Sequence, residues 1–476
     1  MEVPSPAAEW TSYKNLQKCS KKRITRCLKR LDQTPALEEA ERIFGRKFES
    51  KTTAFSAGRK WICIQFLSEP KPGEEDCLAI IMRVRVPPAR DNVLSDSFKK
   101  NENAGFFREQ HSAKVLGEHL NGIRIPAIYH VSPWGSPLAN IAGYPFMLME
   151  CVRGHKLRDI LWHKGIATYS KLDTAIQDHL MSQWAALVAE ISTLGSNHIG
   201  PIAAFDSVSG AGGTWGDDPT MMYQFTDCGL FTRPSHYFGF NLRRKTLELS
   251  QAIMDQHGSD QAVVTAEFLG VLVFGNILLE HFGIGDEEKQ PVEFPLVHRT
   301  LTEKNILMDD EFNFVALVDL KDALTLPEEL QESYAWDCWT NKHSMTKYHS
   351  MLIRAEENEK KKGHRILFPP SKVTDNKLKT AFKLYNNLGV DRLRDPIIVR
   401  KLLDLAGKPD LYEPMHYLAG CIARHWSSCY GIAAEWAHRP ETGRAAYEAA
   451  ERAMNPEEDD GRCADATDAG FRSQPT

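Results

Sequence analysis

Long apolar runs are missing from this chain. None approaches the roughly 18 residues that a membrane-spanning helix needs, so no span is expected. The 10 cysteines are scattered, with no C-x-x-C pair and no Cys/His cluster at zinc spacing. Charge of one sign is lacking too. The balance is 58 basic against 63 acidic residues, net −5, which gives no general field for nucleic acid. The start has no apolar stretch of the signal-peptide kind, so a secreted disulfide framework is not expected and the cytoplasm is the default expectation. What is present is bulk. With 476 residues, 42% of them hydrophobic, the chain can bury a large core, and its length suits two or three domains.

The most informative stretch is FPLVHRTLTEKNILMDDEFNFVALVDLKDALTLP, residues 294–327. An apolar approach, 294–297, delivers His298 into a polar turn. Asn305 opens a short apolar strand, 306–308. Asp309, Asp310 and Asn313 make the next turn, and a second strand, 314–318, ends on Asp319. Asn305 and Asp319 therefore fall at adjacent ends of one hairpin. Two hard oxygen donors placed so close suit a magnesium ion whose remaining ligands come from nucleotide phosphates.

This turn resembles the kinase catalytic loop, His-x-Asp-x-x-x-x-Asn, followed by a metal-binding Asp. His298, Asn305 and Asp319 match it. Thr300 stands where the family has its catalytic Asp, and a threonine hydroxyl takes no proton at neutral pH. Three further stretches narrow the resemblance. GYPFMLMECVRGHKLRDILW (143–162) looks like the hinge of the aminoglycoside phosphotransferase and choline kinase group, in its divergent fungal branch. DCGLFTRPSHYF (227–238) and LTLPEEL (324–330) resemble later motifs of that branch. The four motifs, in order, cover about residues 50–340. The resemblance implies an α+β, two-lobed protein kinase-like fold with a small β-rich N-lobe and a large, mainly helical C-lobe. It divides the chain into a basic, partly disordered segment (1–35), the N-lobe (36–150), the C-lobe (151–455) and a disordered acidic tail (456–476).

Residues 14–30 carry basic side chains and no acid, with apolar residues near helical spacing; a solvated basic helix is the plain expectation. A short helix follows at 36–47, then strand-like runs at 52–56, 60–67 and 77–86. Gly58 sits where a phosphate-covering turn would lie, and backbone amides there suit a phosphate. Arg83 and Arg85 lie two apart on the third strand and share a face. By resemblance one of them holds phosphate in place of the usual lysine, a role arginine can fill; the sequence leaves open which, and leaves open a pair of surface arginines. Residues 104–121 read as the long helix of the small lobe, with Glu109 where the family's cation-pairing Glu falls. A strand spans 123–132, and 133–142 is a loop. The apolar strand PFMLME runs into Glu150 and Cys151, the hinge at which adenine would meet backbone groups, and a helix follows at 156–163.

Beyond the hinge, a helix at 173–194 shows a buried stripe at Leu180, Trp184, Leu187, Val188 and Ile191, with Gly200 as its stop. Residues 206–220 read as loop and 259–281 as helix. The charged run within 341–375 reads as an insertion with a solvated face, and 376–455 as helices that would carry acceptor-binding residues. The functional expectation is transfer of the ATP γ-phosphate to a hydroxyl of a small-molecule acceptor, with ATP and Mg2+ as cofactors and Asn305 and Asp319 as metal ligands. His298 would support the loop by hydrogen bonding. Glu303 is the one carboxylate on the same loop that could stand in for the missing base. The alternative is a pseudokinase that binds nucleotide, or a protein partner, without catalysis.

Overall fold

A computed structural model describes residues 16–58, 60–70, 77–88, 96–201, 231–235, 237, 238, 241, 293–331, 334–336, 339, 342–373 and 377–386. The chain divides into two compact units, Met1–Thr232 with Pro291–Val373, and Arg233–Gln290 with Thr374–Thr476. The expected loop at 206–220, the helix at 259–281, the helices beyond residue 386 and both tails lie outside the described residues.

The first unit opens with two helices, α1 (Lys18–Arg30) and α2 (Thr34–Phe44). A fully antiparallel five-stranded sheet follows, built from β1 (Phe48–Ala57), β2 (Trp61–Ser68), β3 (Ala79–Arg85), β4 (Ile128–Ser132) and β5 (Phe146–Glu150) in the order β1-β2-β3-β5-β4. β3 is central and buried at all seven positions. The long helix α3 (Asp96–His119) connects β3 to β4. The expected loop at 133–142 contains a short helix, α4 (Pro137–Ala142). Ser136 caps it by accepting from the Ala139 N–H at 3.3 Å, and Pro137 presets its first turn.

The basic helix is not simply solvated, as its charge suggested. Ile24 and Cys27 of α1 are fully buried and join one apolar cluster with Ala36 and Ala40 of α2 and with Ile62, Ile64 and Phe66 of β2. The lysines and arginines take the outer face while the apolar stripe docks on the sheet.

After β5 come α5 (Leu157–His163) and α6 (Thr174–Ile191), the latter capped by Asp173, whose carboxylate accepts from the Ala175 N–H at 2.7 Å. All five residues of the expected stripe on α6 are buried. The helix ends at Ile191 with Ser192 as its cap, and Gly200 lies instead in a strand. A four-stranded sheet has the order β6-β8-β11-β7, from β6 (Gly195–Ser196), β7 (Gly200–Pro201), β8 (Phe294–His298) and β11 (Ala323–Thr325). Between β8 and β11 stands the hairpin of β9 (Ile306–Met308) and β10 (Phe314–Leu317). A helix-bearing C-terminal region thus follows the N-terminal sheet, in an α+β arrangement.

Within the charged segment at 341–375 one helix packs an apolar face, while most of its charged run, 357, 358 and 360–365, is exposed as expected. Its helix α7 (Lys342–Lys361) buries Tyr348 and Leu352 in the core with Trp184, Trp336 and Trp339. Glu356 is buried too, accepting from the N–H and hydroxyl of Ser371 at 2.8 and 2.7 Å. In the second unit, α8 (Lys377–Asn386) sets Phe382 against Tyr237 and Phe238, with ring centroids 6.1 and 5.3 Å away.

Docking of α1 makes a quantitative expectation. Ile24→Ala costs about 2–5 kcal/mol if the side chain fills the sheet's core, against about 0.5 or less for a solvated position. Urea denaturation of the full chain separates the two.

Candidate active site

The site is built where β3, α3 and the β9–β10 hairpin meet. β3 delivers two arginines to one face, as its period requires, and the two differ in what they do. The Arg85 guanidinium is committed locally. It pairs with Glu102 of α3 and donates to the backbone carbonyls of Lys60 (3.2 Å) and Val86 (2.9 Å). Arg83 reaches further. Its Nη1 pairs with Glu109, its guanidinium lies 4.2 Å from the Trp61 ring centroid, and its Nη2 is 3.8 Å from Oδ1 of Asp319. Neither arginine is on the surface, the arrangement the strand pattern had left open; Arg83 is 8% exposed and Glu109 2%. Burial works against the Arg83 charge, but the carboxylates of Glu109 and Asp319 outweigh it and hold its pKa above the ordinary guanidinium value.

Asp319 terminates the hairpin in a left-handed backbone conformation, φ 65° and ψ 58°. Aspartate tolerates this better than most residues, at a cost of about 1–3 kcal/mol. His298 helps hold it there, with Nε2 donating to the Asp319 carbonyl oxygen at 3.1 Å. Burial, the largest influence, lowers the His298 pKa, so the ring is neutral and serves as a strut for the loop. The Asp319 carboxylate faces two cations, Arg83 at 3.8 Å and Lys321 Nζ at 3.3 Å, yet its buried Oδ1 receives no hydrogen bond of good geometry. Burial alone would raise its pKa. Arg83 and Lys321 reverse that, and the carboxyl lies below the usual range.

Asn305 is set beside it by the backbone, since the Val318 N–H donates to the Asn305 carbonyl oxygen at 2.8 Å. The side chain is locked at both ends. Its Nδ2 donates to the Val318 carbonyl oxygen at 3.3 Å and its Oδ1 accepts from the Thr302 hydroxyl at 3.0 Å. Thr302 also caps the turn Glu303–Asn305 by accepting from the Lys304 N–H at 3.3 Å. An ionised carboxylate whose Oδ1 is met by two cations but by no well-aligned hydrogen bond, and an amide carbonyl with one lone pair spare, are hard donors of the kind Mg2+ takes. No group of three or more His, Cys, Asp or Glu side chains that could hold a metal occurs among the described residues. A two-donor site fits an ion that brings water and phosphate oxygens with it, and does not fit a metal held wholly by protein.

The remaining expected residues are more dispersed. The Gly58 N–H donates to the Trp61 carbonyl oxygen at 2.9 Å, within the β1–β2 turn, so that amide is not free to cradle a phosphate. The Glu150 carboxylate pairs with Arg124 and accepts from the Ala127 N–H at 3.2 Å. Its own N–H is spent on the Ala127 carbonyl oxygen at 2.8 Å. Cys151 follows at the strand exit, where burial, with lesser contributions from Cys63 and Glu150, pushes its thiol up to about 12. Beyond Cys151 the chain runs across β9: His155 and Met308 exchange both backbone hydrogen bonds at 2.8 Å. Gly154 permits this, because a Cβ there would lie 3.0 Å from Leu307 Cβ and 3.2 Å from the Met308 carbonyl oxygen. Thr300, on the exposed loop, donates its hydroxyl proton to Oδ2 of Asp322 at 3.2 Å.

Four residues of this site were not picked out from the sequence. Trp61 carries the Arg83 guanidinium; its signal was its place on the same sheet face, Trp61 opposite Arg85 and Cys63 opposite Arg83. Lys321 and Asp322 lie in plain view after Asp319, but only the turn Leu320–Asp322 folds them back on the loop. Lys156 is the fourth. Burial, and then Arg83, lower its ammonium pKa, with Cys63, Asp159 and Asp319 opposing.

No protein-family model and no curated protein matches the sequence. Among solved structures, the chain is similar to an aminoglycoside phosphotransferase in a ternary complex with streptomycin and ATP. The identity is 13%, over 79% of this chain and 96% of that one, with a TM-score of 0.37. It is similar also to a macrolide 2'-phosphotransferase from Brachybacterium faecium, at 11% identity over 81% of this chain and 96% of that one, TM-score 0.34.

Two outcomes follow from this geometry. Glu109→Ala leaves a buried guanidinium short of its main partner and costs about 3–5 kcal/mol in urea denaturation, whereas Arg83→Met with Glu109→Leu recovers most of the loss. A single-variant cost below about 1 kcal/mol contradicts the pairing. The lowered Asp319 pKa also has a sign. Its stabilisation is present above the unfolded carboxyl value and is lost as pH falls through the folded one. The stability advantage of the parent over Asp319→Asn, followed by melting temperature, therefore shrinks on acidification below about pH 4.

Proposed function

We propose that this chain is a small-molecule phosphotransferase of the aminoglycoside phosphotransferase-like kind, moving the γ-phosphate of ATP to a hydroxyl of its acceptor. The observation that carries the reading is the line Glu109–Arg83–Asp319. It joins the sheet, its long helix and the hairpin, and presents an anion-binding guanidinium beside an incompletely satisfied carboxylate. In this reading Asn305 and Asp319 hold Mg2+, which would neutralise charge developing on the phosphates. Arg83, kept charged and oriented by Glu109 and Trp61, binds phosphate oxygens. His298 keeps Asp319 in its left-handed conformation. The exit of β5 at Glu150 and Cys151 takes the adenine edge through main-chain groups. The order of the motifs follows the divergent branch noted from sequence. The N-lobe and C-lobe division at residue 150, and a cytoplasmic location, belong to the same reading.

A second reading, a pseudokinase that binds nucleotide or a protein partner, is favoured by two observations. Thr300 replaces the usual base, and Lys321 Nζ stands 3.3 Å from Asp319, a cation in the place where a metal would be needed. In its nucleotide-binding form the second reading shares a nucleotide site with the first and parts from it at turnover; in its partner-binding form it needs no nucleotide.

The test is thermal shift of the full chain with ATP, with and without Mg2+. A stabilisation that requires both, and that Asp319→Ala abolishes, is expected; at 100 times Kd it amounts to about 2.7 kcal/mol. Equal melting curves under all conditions reject both nucleotide-binding readings.

A further inference from the structure

We propose that Asp322 is the general base of this site, supplying across the fold the carboxylate that position 300 lacks. The inference rests on the phosphotransferase reading above. Thr300 cannot accept a proton at neutral pH, yet its hydroxyl is not idle, for it donates to Oδ2 of Asp322 at 3.2 Å. A carboxylate is therefore anchored at the loop position from which the family's Asp would act, delivered by a different segment. The main chain fixes it there. The Arg299 N–H donates to the Asp322 carbonyl oxygen at 3.2 Å, and the next residue, Ala323, pairs with His298. Asp322 also ends the turn that begins at Asp319, so metal ligand and base would move as one rigid piece.

One hydrogen bond from Thr300 occupies one of the carboxylate's approximately four acceptor positions, leaving others for a substrate hydroxyl. Glu303 is the sequence neighbour that could have played this part. It lies in the capped turn Glu303–Asn305, and the described hydrogen bonds join Thr300 to Asp322 rather than to it. The step balances as follows in atoms. The acceptor oxygen forms a bond to the γ-phosphorus while the bond from that phosphorus to the bridging oxygen breaks. The electron pair leaves with the nucleoside diphosphate. The hydroxyl proton passes to the Asp322 carboxylate and from there to water. Thr300 orients the carboxylate and takes no proton.

The experiment uses the full chain with Mg2+ and ATP and no added acceptor, so that water is the nucleophile, and follows phosphate release beside the Mg2+-ATP thermal shift. Asp322→Asn is expected to slow release by about 10²-fold or more, the usual worth of a general base, while the thermal shift stays at the parent value. Moving the carboxylate, in Thr300→Asp with Asp322→Asn, is expected to restore release to within about tenfold of the parent. A merely structural Asp322 would not be replaced in this way. Thr300→Ser keeps both the carboxylate and the hydroxyl that orients it, and should lose less than about tenfold, while the unchanged thermal shift of Asp322→Asn guards against a folding defect. Release at the parent rate in Asp322→Asn overturns the proposal. So does loss in Thr300→Ser as complete as in Asp319→Ala, or a parent that binds Mg2+-ATP without releasing phosphate above the Asp319→Ala level. In those cases the nucleotide site stands. A parent that shows no Mg2+-ATP stabilisation removes the phosphotransferase reading itself, and the base with it.

Discussion

One of the buried cations, Arg83, sets the terms for this structure. Arg83 sits on the central strand of a sheet whose other side chains are mostly apolar, and a guanidinium there is tolerated only with partners. Glu109 satisfies it from the helix, Trp61 covers its face, and Asp319 meets it from the hairpin. Each partner comes from a different stretch of chain, so the charge acts as a registration point. A slip of β3 by one residue would turn Arg83 out of the site and bring an apolar neighbour in.

The hairpin obeys the same logic. Its apolar strands bury Ile306, Met308 and Leu317, which fixes its depth. Its polar ends are then held by short-range bonds: Thr302 to Asn305, Asn305 to Val318, and His298 to Asp319. The left-handed turn at Asp319 is backbone strain supported by these contacts, and it aims the carboxylate at Arg83 instead of along the strand. What results is a pair of oxygen donors beside a cation, the positioning that the proposed phosphoryl transfer would ask of this chain.

Much of this was legible in the chain because it depends on local pattern. The strand-like run of β2, the stripe on α6 and the turn residues between β9 and β10 read directly. Asn305 and Asp319 could be paired from the length of one hairpin. Long-range choices were not legible. Arg83 and Arg85 have the same period and chemistry, and only the distance to Asp319 separates them. The basic helix α1 looked solvated because its charges outnumber Ile24 and Cys27, although two well-placed apolar side chains suffice to dock it. In α7 the charged run is largely exposed as read, and what it concealed was the apolar face of Tyr348 and Leu352 that packs in the core. Asp322 escaped notice because nothing local links it to Thr300, 22 residues earlier. Gly200 was read as a helix stop, but its place beside Thr325 is decided by a strand more than a hundred residues away.

The most direct test of the central claim is a crystal structure of the full chain with Mg2+ and a non-hydrolysable ATP analogue. The account predicts one metal ligated by Asn305 Oδ1 and an Asp319 carboxylate oxygen at about 2.0–2.1 Å, with a phosphate oxygen on the Arg83 guanidinium and Lys321 displaced from Asp319. Nucleotide bound with Lys321 still paired to Asp319 and no metal between Asn305 and Asp319 would contradict it.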